Sequence, residues 1–323
     1  MRQAGGCVRR ARLAVDRSTN CYSRARSGAG CVPPPSIRHS TPAQRGLGPA
    51  RREAISLGGR LCAVGGRVRV EREGGIGWIV FDHPERRNAI SVEMWRAIPD
   101  IADSLGADDA VRVIVLRGAG EVAFVSGADI SEFEEKRTGD AAGRYALDNG
   151  AAMRALARLE KPVLAMIHGF CVGGGVGISL AADMRYAADD AVFAIPAARL
   201  GLGYAPGGLE VLVDLVGPSA AKEIFFTARR FSADEALRMG LVNGVVAKAD
   251  LEATVRETAI QISENAPLTL RSVKRIVSEL HRPLAERDAE GLEASVRTCM
   301  ESEDYREGMR AFLEKRRPSF KGC

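Results

Sequence analysis

The segment Gly169-Phe-Cys-Val-Gly-Gly-Gly-Val-Gly-Ile-Ser-Leu180 constrains this chain more than any other. It follows the apolar run Pro162–Ile167 and leads into a stretch with helical spacing, so it reads as strand, glycine turn, first helical turn. Three consecutive glycines let a backbone approach a ligand closely, and the free N–H groups of a helix start favour negative charge. A phosphate-binding P-loop is excluded, because no Gly-Lys-[Ser/Thr] closes the segment. A dinucleotide fingerprint counted from Gly173 is excluded as well, since Ile178 stands where a small residue is needed. Spacing alone leaves two readings open, a ligand-facing loop and a packing turn.

The surrounding pattern gives the fold class. Val-Arg-Val-Glu-Arg-Glu from Arg67 onward alternates at strand period, Gly74-Gly75 turns the chain, and Ile76–Phe81 returns as a second strand. Ser91–Leu105 carries Met94, Ile98 and Ile101 at helical spacing. Val111–Leu116 is nearly all apolar, as in a strand covered on both faces. A helix is expected near 141–158, then strands at Pro162–Ile167, Met184–Ala187 and Ala191–Ala194. From 218 onward the pattern reads as helical: Ser232-Ala-Asp-Glu235 is a capping-box sequence, Gly240 stands where a helix would end, and helices are expected over 250–264, 267–280, 284–300 and 303–316. This is an α/β domain over 67–323, with a core over 67–217 and a helical region over 218–323.

Charge is unevenly spread. Residues 1–66 hold 12 arginines, no lysine and two acids, a net +10, against −5 for the remainder. The body is therefore not built as a nucleic-acid-binding surface. The leader, rich in Arg, Gly, Ser and Pro, shows no apolar periodicity and reads as disordered. Three readings of it stand: a transit peptide directing the chain to the mitochondrial matrix, an upstream stretch translated in frame ahead of the true start of a cytoplasmic protein, or a basic arm for RNA or an acidic partner. No apolar run approaches 18 residues, which excludes a transmembrane helix. The 7 cysteines form no C-x-x-C pair and no zinc-type spacing, so no metal site is expected and the thiols read as free.

Three motifs in order carry a resemblance: Glu85-Arg-Arg-Asn-Ala-Ile-Ser91, Ser126-Gly-Ala-Asp-Ile130 and the triplet Gly173–Gly175. With Phe193-x2-Pro196, Leu200-Gly201, Gly207-Gly208 and the tail Ser302–Arg316, the chain resembles the enoyl-CoA hydratase/isomerase (crotonase) family over roughly residues 67–323. The resemblance implies a spiral of ββα units, a helical C-terminal region that builds homotrimers or hexamers, and an acyl-CoA thioester as ligand, the CoA arriving as part of the substrate with no separate cofactor. It implies an oxyanion hole from the backbone N–H groups of Ala128 and Gly174. It also implies a CoA-binding surface drawn from Arg86, Arg87, Ser126, Asp129 and Ile130, with Asp129 read as bracing its loop. Two fixed donors suit an enolate, whose oxygen gains charge as the neighbouring carbon loses a proton, a carboxylate or a leaving group.

The chain departs from the family at two places. Family hydratases use two glutamates; here the corresponding positions are Gly177 and Ala197. A two-glutamate hydration mechanism therefore does not carry over, which leaves isomerisation, decarboxylation, or slow hydration through Tyr204, Glu132 or an unassigned base. Tyr204 and the segment Lys222–Ala228 resemble methylmalonyl-CoA decarboxylases, and Tyr204 reads equally as pocket lining or as proton donor. A non-catalytic acyl-CoA-binding protein is the remaining alternative. Glu132, Glu210 and His168 are further polar groups near the motifs, read chiefly as structural.

Overall fold

The computed structural model describes residues 53–54, 66–129, 132 and 139–323. Apart from residues 53–54 and 66, the leader lies outside the described residues, as does Ile130. Pairing reaches slightly ahead of Arg67: the two-residue strand β1 (Glu53–Ala54) runs antiparallel to β2 (Arg67–Glu73). The Gly74-Gly75 turn, with Gly74 at φ +56°, returns the chain as β3 (Ile76–Asp82), in register Arg69 opposite Val80.

From β3 onward the large sheet is parallel. Its order runs β1-β2-β3, then β4 (Val113–Gly118), β6 (Val163–Ile167), β8 (Met184–Ala188) and β11 (Gly244–Val246). A smaller sheet takes the strands between: β5 (Ala123–Val125), β7 (Phe170–Val172) and β9 (Val192–Ala194) are parallel, with β10 (Phe231–Ser232) antiparallel at the edge. Each of the pairs β4–β5, β6–β7 and β8–β9 therefore puts one strand in each sheet and moves one place along. This repeated step is the spiral of ββα units that the resemblance implies.

Alternation along the buried strands separates two cores. Ile79, Phe81, Ile114, Leu116, Val163 and Ile167 face α1 (Val92–Ala107), α2 (Gly139–Ala157) and the small sheet. Trp78, Val80, Val115, Leu164 and Met166 face α6 (Leu251–Ser263), whose Leu251, Val255 and Ala259 cover them. Both faces being covered explains why these strands read as continuous apolar runs. Helix α1 starts where Ser91 Oγ accepts from Met94 N at 3.2 Å. Short helix α3 (Gly174–Leu180) ends on the buried Arg185, whose Nη1 donates to Ser179 O at 3.2 Å and Ala182 O at 2.6 Å.

The second half differs in part from its sequence reading. Helix α4 (Pro206–Thr227) begins ahead of 218 and kinks at Gly217, φ +76°. β10 and β11 interrupt the stretch read as helical, flanking α5 (Ala233–Arg238). Strands of two and three residues carry no periodicity of their own; partner strands β9 and β8 define them. Beyond them α7 (Pro267–Leu280), α8 (Ala289–Glu301) and α9 (Glu303–Leu313) follow the expected spans closely. Among the described residues no helix is long and apolar enough to cross a membrane.

Candidate functional site

The glycine triplet lies where β7 crosses into α3, and its members are glycine for different reasons. Gly173 holds φ +52° and ψ −109°, a conformation that L side chains avoid, while its N–H donates to Ala194 O at 2.8 Å. A Cβ on Gly175 would lie 2.1 Å from Val125 O, so β5 and α3 can pack only with glycine there. Gly174 is neither strained nor crowded: a Cβ would meet Trp95 Cζ2 at 3.5 Å and Ala128 N at 3.9 Å.

That second distance joins the two motifs. Ala128 forms an isolated parallel bridge with Ile90, in which Ile90 N donates to Gly127 O (2.8 Å) and Asp129 N donates to Ile90 O (3.0 Å). In extended backbone, successive N–H groups point to opposite sides, so with Asp129 N–H aimed at Ile90 the Ala128 N–H is turned the other way. Helix α3 begins its own bonding with Gly177 N to Gly173 O (3.2 Å), so the helix itself offers the Gly174 N–H no acceptor. The Ala128 and Gly174 segments, from separate loops, thus lie side by side.

The Arg86–Arg87 turn packs onto the same loop. Ser126 N donates to Arg87 O and Ser126 Oγ to Arg86 O, both at 3.1 Å. Arg86 Nη1 donates to Asp129 Oδ1 at 3.2 Å; Asp129 is buried and the arginine half exposed. Arg87 lays its guanidinium over the Phe170 ring, 4.7 Å from the centroid, and Arg230 approaches the same ring at 5.7 Å. Four of the expected binding residues (Arg86, Arg87, Ser126 and Asp129) therefore form one cluster. Asn88, which sequence reasoning passed over, anchors it: His83 N donates to its Oδ1 (3.0 Å), and its Nδ2 donates to Ala119 O (3.0 Å) and Ala123 O (2.7 Å).

Neither Gly177 nor Ala197 brings an acid to the site. A Cβ on Gly177 would come 3.0 Å from Met153 Cε, and Ala197 is buried in the tight turn Pro196–Leu200. Tyr204 is partly buried, edge-on to Phe225 at 4.8 Å. Burial pushes its phenol above the ordinary tyrosine range, and nearby Tyr145 adds to that rise. Glu132 Oε2 accepts from Val92 N at 3.0 Å, capping α1, and Glu210 is exposed on α4. His168 is buried, its imidazole pushed down by burial and then by Arg117 and Lys248; its Nε2 has no partner among the described residues.

Two further residues escaped the sequence reading. Trp95, fully buried on α1, flanks Gly174, and its Nε1 donates to Tyr145 Oη at 2.9 Å. Trp95 follows Met94 on the buried face of its helix, a position whose spacing signals core and no more; Tyr145 belongs to no periodic pattern. Among the described residues no group of His, Cys, Asp and Glu is arranged to hold a metal.

A two-sheet ββα spiral of this order is the fold of the crotonases. The family model described as enoyl-CoA hydratase/isomerase matches residues 71–323, and the chain belongs to that family of enzymes. It is 36% identical over 256 residues to the short-chain-enoyl-CoA hydratase of Clostridium acetobutylicum, covering 77% of this chain and 95% of that protein. It is 35% identical to a carnitinyl-CoA dehydratase of Escherichia coli O157:H7, over 79% of this chain and 98% of that one. Among solved structures, an enoyl-CoA hydratase/carnithine racemase from Magnetospirillum magneticum superimposes with a TM-score of 0.76 at 34% identity, covering 79% of this chain and 96% of that chain.

Proposed function

We propose that the protein binds an acyl-CoA thioester and stabilises its enolate through the N–H groups of Ala128 and Gly174. The observation that carries this reading is their adjacency: a Cβ on Gly174 would stand 3.9 Å from Ala128 N, with Gly174 itself uncrowded. Donors fixed by separate loops need no reorganisation as the carbonyl oxygen turns negative, and losing one such donor typically costs about 2.7–4 kcal/mol of barrier. Arg86 and Arg87 meet the CoA phosphates, Arg86 being half exposed and steadied by Asp129. CoA is part of the substrate, and neither a metal nor a separate cofactor takes part.

The relatives named hydratase and dehydratase favour addition or loss of water across the double bond next to the thioester. The absence of a carboxylate at 177 and 197 favours decarboxylation, which asks less of an acid and base because loss of CO₂ itself yields the enolate; isomerisation would need another group to move the proton. One panel of enoyl, branched and malonyl-type thioesters, assayed together for hydration, double-bond shift and CO₂ release, separates these. CoA-ester binding with no turnover on any of them would instead make the protein a non-catalytic binder. Gly174→Pro removes one donor at the first helical position, where proline is tolerated; it should abolish turnover in a folded, CoA-binding protein. Full activity in that variant would remove the oxyanion reading. The exposed apolar side chains Val273, Val277, Leu280, Met300, Phe312 and Leu313 on the C-terminal helices support assembly into a homotrimer or hexamer, which sedimentation equilibrium would reveal.

A further inference from the structure

Between the end of α2 and the start of β6 the chain borders a cavity of about 490 Å³, closed on its other sides by α7 and α8. Pockets for small organic molecules run to about 300–1,000 Å³, so this one is too large for a lone ion. Ala157, Leu268 and Ala294 give it apolar wall. Arg158, Arg271, Lys274 and Arg275 bring four positive charges to its lining, against the single carboxylate of Glu160. Two of the four are already engaged. Lys274 Nζ donates to Lys161 O at 3.0 Å and Asp183 Oδ2 at 2.8 Å, and Arg275 Nη2 donates to Asp288 Oδ2 at 2.6 Å. The guanidiniums of Arg158 and Arg271 take no hydrogen bond or ion pair among the described residues. Their charge is felt next door: burial first, and Arg271 next, hold the buried Lys161 ammonium below the ordinary lysine range. The walls are fixed, since Ser272 Oγ and Ser295 Oγ lie 3.0 Å apart and tie α7 to α8. The cavity stands at the entry to β6 and the glycine segment at its exit, with about 16 Å of strand between.

We propose that this cavity is a second ligand site that takes a phosphate monoester, its phosphate held by Arg158 and Arg271 and its organic part laid against the apolar wall. The guanidinium fork matches phosphate oxygens, and two unengaged cations balance a dianion where a single carboxylate would leave one over. A cleft lined by one sign of charge concentrates ligands of the other. The volume argues for an ester over the bare ion, because inorganic phosphate would leave the apolar wall uncovered. The site is independent of the enolate reading.

The test is calorimetric titration of the full chain with phenyl phosphate and with inorganic phosphate, at constant ionic strength, with and without saturating butyryl-CoA. Phenyl phosphate should bind more tightly than inorganic phosphate, with a Kd that butyryl-CoA leaves unchanged. Arg158→Gln and Arg271→Gln should each weaken it by about tenfold or more, the loss of one charge-assisted contact. Glu160→Gln, which removes the opposing charge, should tighten it. Arg297→Gln deletes an exposed arginine of α8 outside the cavity and should leave the Kd within about twofold. Arg158 is itself exposed, so its variant tests the contact without disturbing the core. No binding of phenyl phosphate to the wild type overturns the proposal, as does an equal loss in Arg297→Gln, which would mean general charge attraction. Displacement by butyryl-CoA would assign the binding to the CoA-phosphate surface and overturn it too. Inorganic phosphate binding as tightly as the ester would overturn the monoester assignment. Each of these results leaves the enolate reading standing, since that reading is judged by turnover in Gly174→Pro.

Discussion

Asn88 stands at φ +56° and is 1% exposed, and it ties three separate strands of backbone together through His83, Ala119 and Ala123. Asparagine tolerates the left-handed region better than most residues, and its amide has both the donors and the acceptor required. Asn88→Ala leaves buried carbonyls without donors and should destabilise the fold by about 2–4 kcal/mol in urea titration; a loss below about 0.5 kcal/mol would mean the turn holds without it. Cys171, fully buried on β7, behaves oppositely to the exposed Cys323. Burial pushes its thiol well above the ordinary range, so it has little thiolate with which to react. Peptide mapping after a thiol reagent should find Cys323 labelled in the native protein and Cys171 labelled only in urea. Ready native labelling of Cys171 would show that the strand opens.

At the scale of elements, agreement between sequence and structure follows length and periodicity. Helices α6, α7 and α9 were legible because each repeats an apolar stripe over several turns. The capping box at α5 was legible because it is a local bargain: Glu235 N donates to Ser232 Oγ at 3.2 Å and Ser232 N to Glu235 Oε2 at 2.8 Å. Ser232→Ala should therefore cost about 1 kcal/mol in chemical denaturation, and a neutral result would mean the cap is redundant. β10 and β11 were illegible because a strand of two or three residues exists only through its neighbour. The kink at Gly217 was missed for a similar reason, since Gly-Pro within an apolar run reads equally as a helix boundary and as a bend.

Across the whole molecule, the C-terminal end is fastened to distant parts of the chain. Arg112 Nη2 donates to Phe320 O and Lys321 O, both at 3.3 Å, and Asp304 accepts from Lys321 N (2.6 Å) and Gly322 N (2.8 Å). Glu307 holds the start of this tail: Arg316 binds its carboxylate and Ser319 N donates to it at 3.0 Å. Those contacts, Arg316 first, lower the Glu307 carboxyl from 4.5 to about 2. A carboxyl lowered by folding contributes stability that is complete above its ordinary value and is lost as pH falls toward the folded one. The tail should thus loosen between about pH 4.5 and pH 2, read as rising amide exchange over residues 316–323, and Glu307→Gln should remove that dependence. An unchanged pH response in the variant would place the acid sensitivity elsewhere.

The order of the motifs, the buried strands, the glycines, the long amphipathic helices and the absence of acids at 177 and 197 all belong to the sequence. They rest on local rules: side-chain period, backbone freedom and the composition of turns. The adjacency of Ala128 and Gly174, the seating of Arg87 on Phe170 and the hydrogen bond from Trp95 to Tyr145 belong to the tertiary structure. Each joins residues about 45–85 positions apart, and no periodicity spans that distance. Such meetings are decided only when the two sheets close and α1 packs on α2. Trp95 illustrates the divide: its burial could be read from the helix face, but what its N–H would find could not.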